Sequence, residues 1–104
     1  MAKVSKRAPT DEAALSAAVD ALATLGLAAE QRVRFRRTDG GRWLEGTAKR
    51  REPDGSLGLH DARGRSRSIP IEAVEVQVRG PRGGRVWTPL TEVAAAIEQL
   101  DLFR

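Results

Sequence analysis

The chain contains no cysteine, no tyrosine and a single histidine, His60, and these gaps exclude or disfavour several kinds of functional site. Without cysteine there is no disulfide, no thiol nucleophile and no thiolate metal ligand. One histidine leaves little for general-base or metal chemistry, and the pair His60-Asp61 has no nucleophile at a recognisable spacing. We therefore expect a protein that is not an enzyme and that uses no metal or cofactor.

Long hydrophobic runs are also missing from the sequence. No stretch approaches the ~20 apolar residues of a membrane-spanning helix, and the basic start of the chain is not followed by the apolar segment of a secretory signal. Hydrophobic residues make up 40% of the 104 residues, but many of them are alanine, so the core must be small. We expect one small cytoplasmic domain without a membrane partner.

Positive charge is concentrated in the middle of the chain. Residues 32–85 hold fourteen Lys and Arg against seven Asp and Glu, and thirteen of those fourteen cations are arginine. The flanking segments 8–31 and 86–104 are both net acidic. Because the planar arginine side chain suits phosphate and stacks on bases, this segregation predicts a nucleic-acid partner.

The first part of the sequence divides into an arm and a helix. Residues 1–9 are basic and have little to bury, which is typical of a flexible arm. Residues 10–26 predict an amphipathic helix that Thr10 caps and Gly26 ends. Its apolar stripe is expected to serve the chain's own core or a second copy of the chain in a homodimer, although a helix that binds a foreign partner would show the same pattern. The stripe consists of Leu15, Ala18, Val19, Leu22 and Leu25.

After the helix, the periodicity of the apolar residues changes from helical to alternating. In Arg32–Arg36, Val33 and Phe35 occupy one face and three arginines the other, which predicts a half-buried strand with a cationic outer surface. Further alternating runs, separated by turn residues, bring the predicted total to five strands within residues 32–78. One tight turn precedes the fifth strand. Residues 79–90 are rich in Gly, Pro and Arg and predict a flexible loop.

The predicted order of strands resembles a small SH3-like or Tudor-like barrel. The similarity spans residues 33–78 and rests on Gly41-Arg42-Trp43-Leu44-Glu45-Gly46 in the second strand and Ile69-Pro70-Ile71-Glu72-Ala73-Val74 before the fifth. It implies an α+β, mainly β fold, in which a five-stranded barrel carries an N-terminal amphipathic helix and a short C-terminal helix. An OB-fold is the alternative, but only residues 61–64 are available where it places a longer helix.

An arginine-rich barrel of this kind can hold nucleic acid by its phosphates. Alternate residues of a strand share a face and lie about 7 Å apart, and basic residues of the second strand and of the 79–90 loop extend that surface. An aromatic cage for a methylated cation is disfavoured, because Trp43 and Trp87 would be its only walls and Trp43 is expected in the core or at the barrel rim. The predicted phosphate contacts are Arg32, Arg34, Arg36, Arg37, Arg42, Lys49, Arg50, Arg51, Arg82 and Arg85.

The most specific motif lies within residues 91–104, which predict a short helix followed by a tail. The segment Gln99-Leu100-Asp101-Leu102-Phe103 resembles the pentapeptide by which bacterial polymerases and repair factors dock on the β sliding clamp. All five positions match that pattern. A terminal segment of this kind can enter a groove without disturbing the domain that carries it.

The resemblance to the clamp-binding pentapeptide implies a role for each of its residues. Gln99 would hydrogen-bond at the entrance of the clamp pocket, and Leu100 would fill an adjoining recess. Asp101 would face outward, while Leu102 and Phe103 would bury their side chains as the anchor. In the alternative, Phe103 folds back onto the chain's own core and the segment has only a structural role.

These features together predict a non-catalytic adaptor in bacterial DNA replication or repair. Its barrel would contact DNA phosphates and its pentapeptide would bind the sliding clamp, which places it in the cytoplasm with the nucleoid. Two other hypotheses use the same charges with a purely structural tail. One is a barrel associated with RNA or the ribosome, and the other is an interaction module for an acidic protein.

Overall fold

One antiparallel sheet of six strands, flanked by two helices, makes up the described part of the chain. The computed structural model describes residues 12–102, with side chains up to residue 100. The elements in chain order are α1 (12–20), a 3₁₀ turn (Ala21–Leu25), β1 (Arg32–Phe35), β2 (Leu44–Arg51), β3 (Leu57–Asp61), β4 (Ser66–Ile69), a second 3₁₀ turn (Ile71–Ala73), β5 (Val74–Arg79), β6 (Arg85–Pro89) and α2 (Leu90–Leu102). The strands lie in the order β4-β3-β2-β1-β5-β6. The predicted α+β, mainly β class is confirmed, but the sheet has six strands instead of five.

The sheet has one apolar face, as the alternation in β1 predicts. Val33 and Phe35 are completely buried, while the side chains of Arg32 and Arg34 lie on the opposite face. Facing residues of the other strands and of both helical regions complete a single core. Its buried members are Leu22, Leu25, Leu27, Val33, Phe35, Ala48, Leu57, Leu59, Ile69, Val74, Val76 and Leu90.

The N-terminal helical segment differs from the regular amphipathic helix predicted over residues 10–26. Only 12–20 is α-helical among the described residues, and Ala21–Leu25 tightens into a 3₁₀ turn. Because residues three apart align in a 3₁₀ turn, Leu22 and Leu25 both reach the core, whereas Leu15 remains 54% exposed. The predicted stop is confirmed, since Gly26 caps this segment in the left-handed conformation at φ 73°.

The interval 79–90, predicted as a loop, contains a strand. Gly80 donates a backbone hydrogen bond to Gly84 at 2.6 Å, and Gly83 donates one to Gly80 at 3.0 Å. Gly83 has φ 87°, a value that glycine reaches without strain. The Gly- and Pro-rich run is therefore a tight connection that returns the chain along β5 as β6, a hairpin that the sequence pattern does not predict.

Helix α2 packs on the same side as the first 3₁₀ turn and contacts β5 and β6 as well. Leu90 is fully buried at its start, and Val93 and Ala94 pack against the core in its first two turns. Gly26 allows this approach, because a Cβ there would lie 2.6 Å from Cγ1 of Val93. Within the described residues, no helix is both long and apolar enough to cross a membrane.

Some predictions fall on residues outside this description. They are the flexible arm 1–9, the cap at Thr10, the side chains of Asp101 and Leu102, and the position of Phe103.

Candidate functional sites

Both tryptophans lie on the outer face of the sheet, and they share one arginine. The Cζ atom of Arg34 lies 4.4 Å from the ring centre of Trp43 and 4.6 Å from that of Trp87. Arg36 approaches Trp43 as well, at 4.7 Å. Trp43 is therefore not part of the core, which was one of the two positions expected for it. The two indoles do flank a cation, but this cation is the chain's own Arg34.

A carboxylate fixes the same arginine from the neighbouring strand. Arg34 stands opposite Glu75 in the β1–β5 register and opposite Glu45 in the β1–β2 register. Its Nε donates a hydrogen bond to Oε1 of Glu75 at 2.9 Å, and its Nη2 forms a second contact with the same oxygen. Both side chains are mostly buried, with 26% and 19% exposed. The positive charge of Arg34 is therefore neutralised within the protein.

Such pairing extends to half of the cations predicted to contact phosphate. Within the described residues, five of the ten are paired with carboxylates, and Arg51 donates a hydrogen bond to the hydroxyl of Thr24 instead. The pairs are Arg32–Glu45, Arg34–Glu75, Arg36–Asp39, Lys49–Glu30 and Arg50–Glu52. The outer surface of β1 is therefore charge-compensated, which corrects the cationic stripe expected from the sequence.

Of the four remaining predicted cations, three lie in connections between strands and one begins a strand. Arg37 and Arg42 belong to the β1–β2 connection, Arg82 to the β5–β6 connection, and Arg85 begins β6. All four are exposed, and none pairs with a carboxylate among the residues the structure describes. Three of these four uncompensated cations therefore lie in connections between strands.

The β3–β4 turn adds two exposed arginines that were not among the predicted phosphate contacts, Arg63 and Arg65. Asp61 shapes this turn, since its Oδ1 accepts the backbone N–H groups of Arg63 and Arg65 at 2.9 and 3.0 Å. Its Oδ2 accepts a hydrogen bond from Nε of Arg67 at 2.8 Å. The Arg67 bond and then the turn amides lower the pKa of Asp61 to about 2. An aspartate at the start of a Gly-containing turn was the available sequence signal.

His60, the single histidine of the chain, has an ordinary cross-strand partner. Nε2 of His60 lies 3.2 Å from Oγ of Ser66, directly opposite it on β4. The adjacent Asp61 is engaged by Arg67 and by its own turn. Among the described residues, no group of three or more potential metal ligands comes together.

The pentapeptide begins on the last turns of α2. Ile97 is half-buried against the 3₁₀ turn, but Gln99 is exposed and Leu100 is 66% exposed. The backbone is helical to Leu102, so four of the five matching positions continue the helix instead of forming a separate tail. At the positions whose side chains are described, the motif is not used by the core.

Comparison of the chain with models of protein families, with curated proteins and with solved structures gave no match.

Proposed function

We propose that this protein is a non-catalytic adaptor of bacterial DNA replication or repair that binds the β sliding clamp through residues 99–103 and contacts DNA phosphates through its arginines. The observation that carries the proposal is the exposure of Gln99 and Leu100 at the end of α2. Leu100 is a large apolar side chain exposed to solvent, and it lies in a segment that matches the clamp-binding pattern at all five positions. This combination favours a binding role over a packing role. Its place is the cytoplasm, beside the nucleoid.

The packing of α2 makes the segment available for docking. The apolar stripe of the helix meets the core at Leu90, Val93 and Ala94 and ends near Ile97. The last turn of a helix lacks partners for its carbonyl groups and opens at low cost. Residues 99–102 can therefore leave the helical conformation and enter a groove as an extended peptide while the core remains intact.

We also propose that residues 33–78 belong to the SH3-like class of barrels. Two observations support this assignment. The first is the strand order, in which β1 lies between β2 and β5, and the second is the 3₁₀ turn Ile71–Ala73 between β4 and β5. In this assignment, β6 and α2 are additions after the fifth strand. A small domain of this kind can carry the arginine-rich loops and the segment 99–103.

The proposed contact with DNA rests on arginines that form no ion pair within the described residues. Exposed arginines without a carboxylate partner occur in three strand connections within the described residues. A protein held on the clamp is kept beside duplex DNA, so each weak contact strengthens the other through a higher effective concentration.

The clamp contact is tested with purified bacterial β clamp and immobilised full-length protein, by surface plasmon resonance. We expect Leu100→Ala combined with Phe103→Ala to weaken binding at least tenfold, because apolar anchors contribute about 2 kcal/mol or more at such sites. Glu98→Gln, one residue before the motif and exposed, is the matched control and should bind as the parent does. Undiminished affinity of the double variant would overturn the proposal.

The same experiment needs a measurement of folding. Since Leu100 is 66% exposed, Leu100→Ala should leave the melting temperature within a degree or two. Ile97→Ala, which removes a half-buried contact to the first 3₁₀ turn, should lower the melting temperature but keep clamp affinity at a temperature where the variant is folded. A marked loss of stability in Leu100→Ala would assign the segment to packing.

A further inference from the structure

Two loops meet at one end of the sheet because of the strand register. The β1–β2 connection, residues 36–43, leads into the start of β2, and the β3–β4 turn, residues 62–65, follows the end of β3. Gly46 near the start of β2 stands opposite Asp61 at the end of β3. The two connections are therefore neighbours, although eighteen residues, 44–61, separate them in sequence.

Arginines from both loops surround two adjoining hollows. One hollow is lined by Arg37, Arg63, Arg65 and Arg67 together with Leu44, Ala62 and two carboxylates. The other is lined by Arg37, Arg42, Leu44, Thr38 and Gly41. The hollows share Arg37 and Leu44, so they form one continuous cationic surface, which we call the loop-end site. Its four exposed and unpaired arginines, within the described residues, are Arg37, Arg42, Arg63 and Arg65.

The carboxylates at the loop-end site do not cancel this charge. Asp61 is committed to Arg67 and to the amides of its own turn, with its side chain only 12% exposed. Glu45 lies 3.4 Å from Arg32 on the neighbouring strand. Five arginines and two paired carboxylates line the site, so it carries a net positive charge.

We propose that the loop-end site binds two neighbouring phosphates of a nucleic-acid strand, one in each hollow. This inference rests on the proposed function and gives it a location. Arginine forks match phosphate oxygens in pairs, and two hollows that share one arginine suit a ligand with repeated, closely spaced charges. No aromatic side chain lines either hollow, so the site holds the backbone without stacking a base and binds independently of sequence.

Binding is measured by fluorescence polarisation with a labelled duplex of mixed sequence at several salt concentrations. Each phosphate contact contributes about 0.9 to the slope of log affinity against log salt. We expect Arg63→Gln with Arg65→Gln to lower the slope by about 1 to 2 and to weaken binding at least tenfold at low salt. The matched control is Lys49→Gln with Arg50→Gln, which changes the net charge equally but removes cations already paired with Glu30 and Glu52.

A clearly smaller effect of the control pair supports the loop-end site, whereas equal effects of both pairs would show that only net charge matters and would overturn it. Polyglutamate in place of the duplex tests the other class of partner: tight binding of polyglutamate with no binding of DNA would assign the site to an acidic protein. Clamp affinity is measured in parallel on the same variants. Its loss in the pentapeptide variants tests the adaptor hypothesis alone, and the salt slope tests the loop-end site alone.

Discussion

The guanidinium of Arg34 lies 4.6 Å from the ring centre of Trp87, although their strands are not neighbours in the sheet. Strand β5 runs between them and supplies Glu75, which accepts the hydrogen bonds of Arg34. Trp43 covers the arginine as well, at 4.4 Å. The arginine therefore connects β1, β5, β6 and the residue just before β2. It holds the β5–β6 hairpin against the centre of the sheet.

Replacing Arg34 by alanine should lower the free energy of unfolding by about 2 to 3 kcal/mol, because two cation–π contacts are lost and Glu75 keeps no cationic partner. Arg34→Lys should fall between the parent and Arg34→Ala, since lysine keeps the charge but not the planar fork. Urea denaturation followed by fluorescence measures this directly, because Trp43 and Trp87 are the two tryptophans of the chain.

A matched control for Arg34 is available on the same strand. Arg32→Ala removes a pair with Glu45 in which the side chains are 79% and 64% exposed, and such pairs contribute only ~0–1 kcal/mol. Equal destabilisation by Arg32→Ala and Arg34→Ala would contradict a special role for the stacked arginine.

Gly26→Ala should lower the free energy of unfolding more than most glycine-to-alanine substitutions in this chain. The residue has φ 73°, and an added Cβ would lie 2.6 Å from Cγ1 of Val93 and 2.9 Å from Cδ1 of Ile97. We expect a loss of about 2 to 4 kcal/mol, from the left-handed backbone together with overpacking against α2. Gly83→Ala is the control, because Gly83 has φ 87° with nothing within 4 Å, and it should lose only about 1 to 2 kcal/mol. Thermal unfolding followed by circular dichroism compares the two, and equal losses would remove the contact with α2 from the explanation.

Gly46 and Phe35 form a second close approach that double substitution can test. A Cβ on Gly46 would lie 3.2 Å from Cε1 of Phe35 and 3.0 Å from the carbonyl oxygen of His60. Gly46→Ala should cost about 1 to 3 kcal/mol, and Phe35→Leu about 1 kcal/mol or more. In the double variant the smaller leucine should relieve part of the clash, so denaturant melts should give a total loss below the sum of the two. A strictly additive result would place the strain at His60 or at Cδ1 of Leu59, which would lie 3.1 Å from the same Cβ.

Local patterns in the sequence predict much of the fold. The alternation Val33-Arg34-Phe35 correctly assigns the inner and outer faces of β1, and Gly26 correctly marks the end of the first helical segment. Both features depend only on residues that are close together in the chain, so a local sequence pattern is enough to predict them. The sixth strand was missed because its preceding Gly and Pro residues are equally typical of a flexible loop and of a tight hairpin.

The charge pattern of the outer face depends on register, which the sequence does not specify. Arg34 is neutralised because Glu75 stands opposite it, forty-one residues away in the chain. The two tryptophans meet there for the same reason. Arginines at alternate positions of a strand therefore share one predictable face of the sheet. Whether they form ion pairs depends on the residues that the neighbouring strands bring to that face. Arg63 and Arg65 were absent from the predicted contacts for the same reason, since only the pairing of β2 with β3 brings their turn beside Arg37.

The β3–β4 turn should become less stable in acid because of Asp61. Its pKa is lowered from 3.8 to about 2, mainly by the hydrogen bond from Arg67 and then by the turn amides. A lowered folded-state pKa stabilises the folded protein above the unfolded value, and this contribution is lost as the pH falls from about 4 towards 2. In Asp61→Asn the charge interaction with Arg67 is already absent, so the variant should be less stable at neutral pH and should lose less stability than the parent across that range.

Melting temperatures between pH 2 and pH 6 measure the difference. Parallel acid profiles of parent and variant would mean that Asp61 is not the group that titrates, and Asp54, whose pKa is lowered by the hydroxyl and amide of Ser56, would be the next carboxylate to replace.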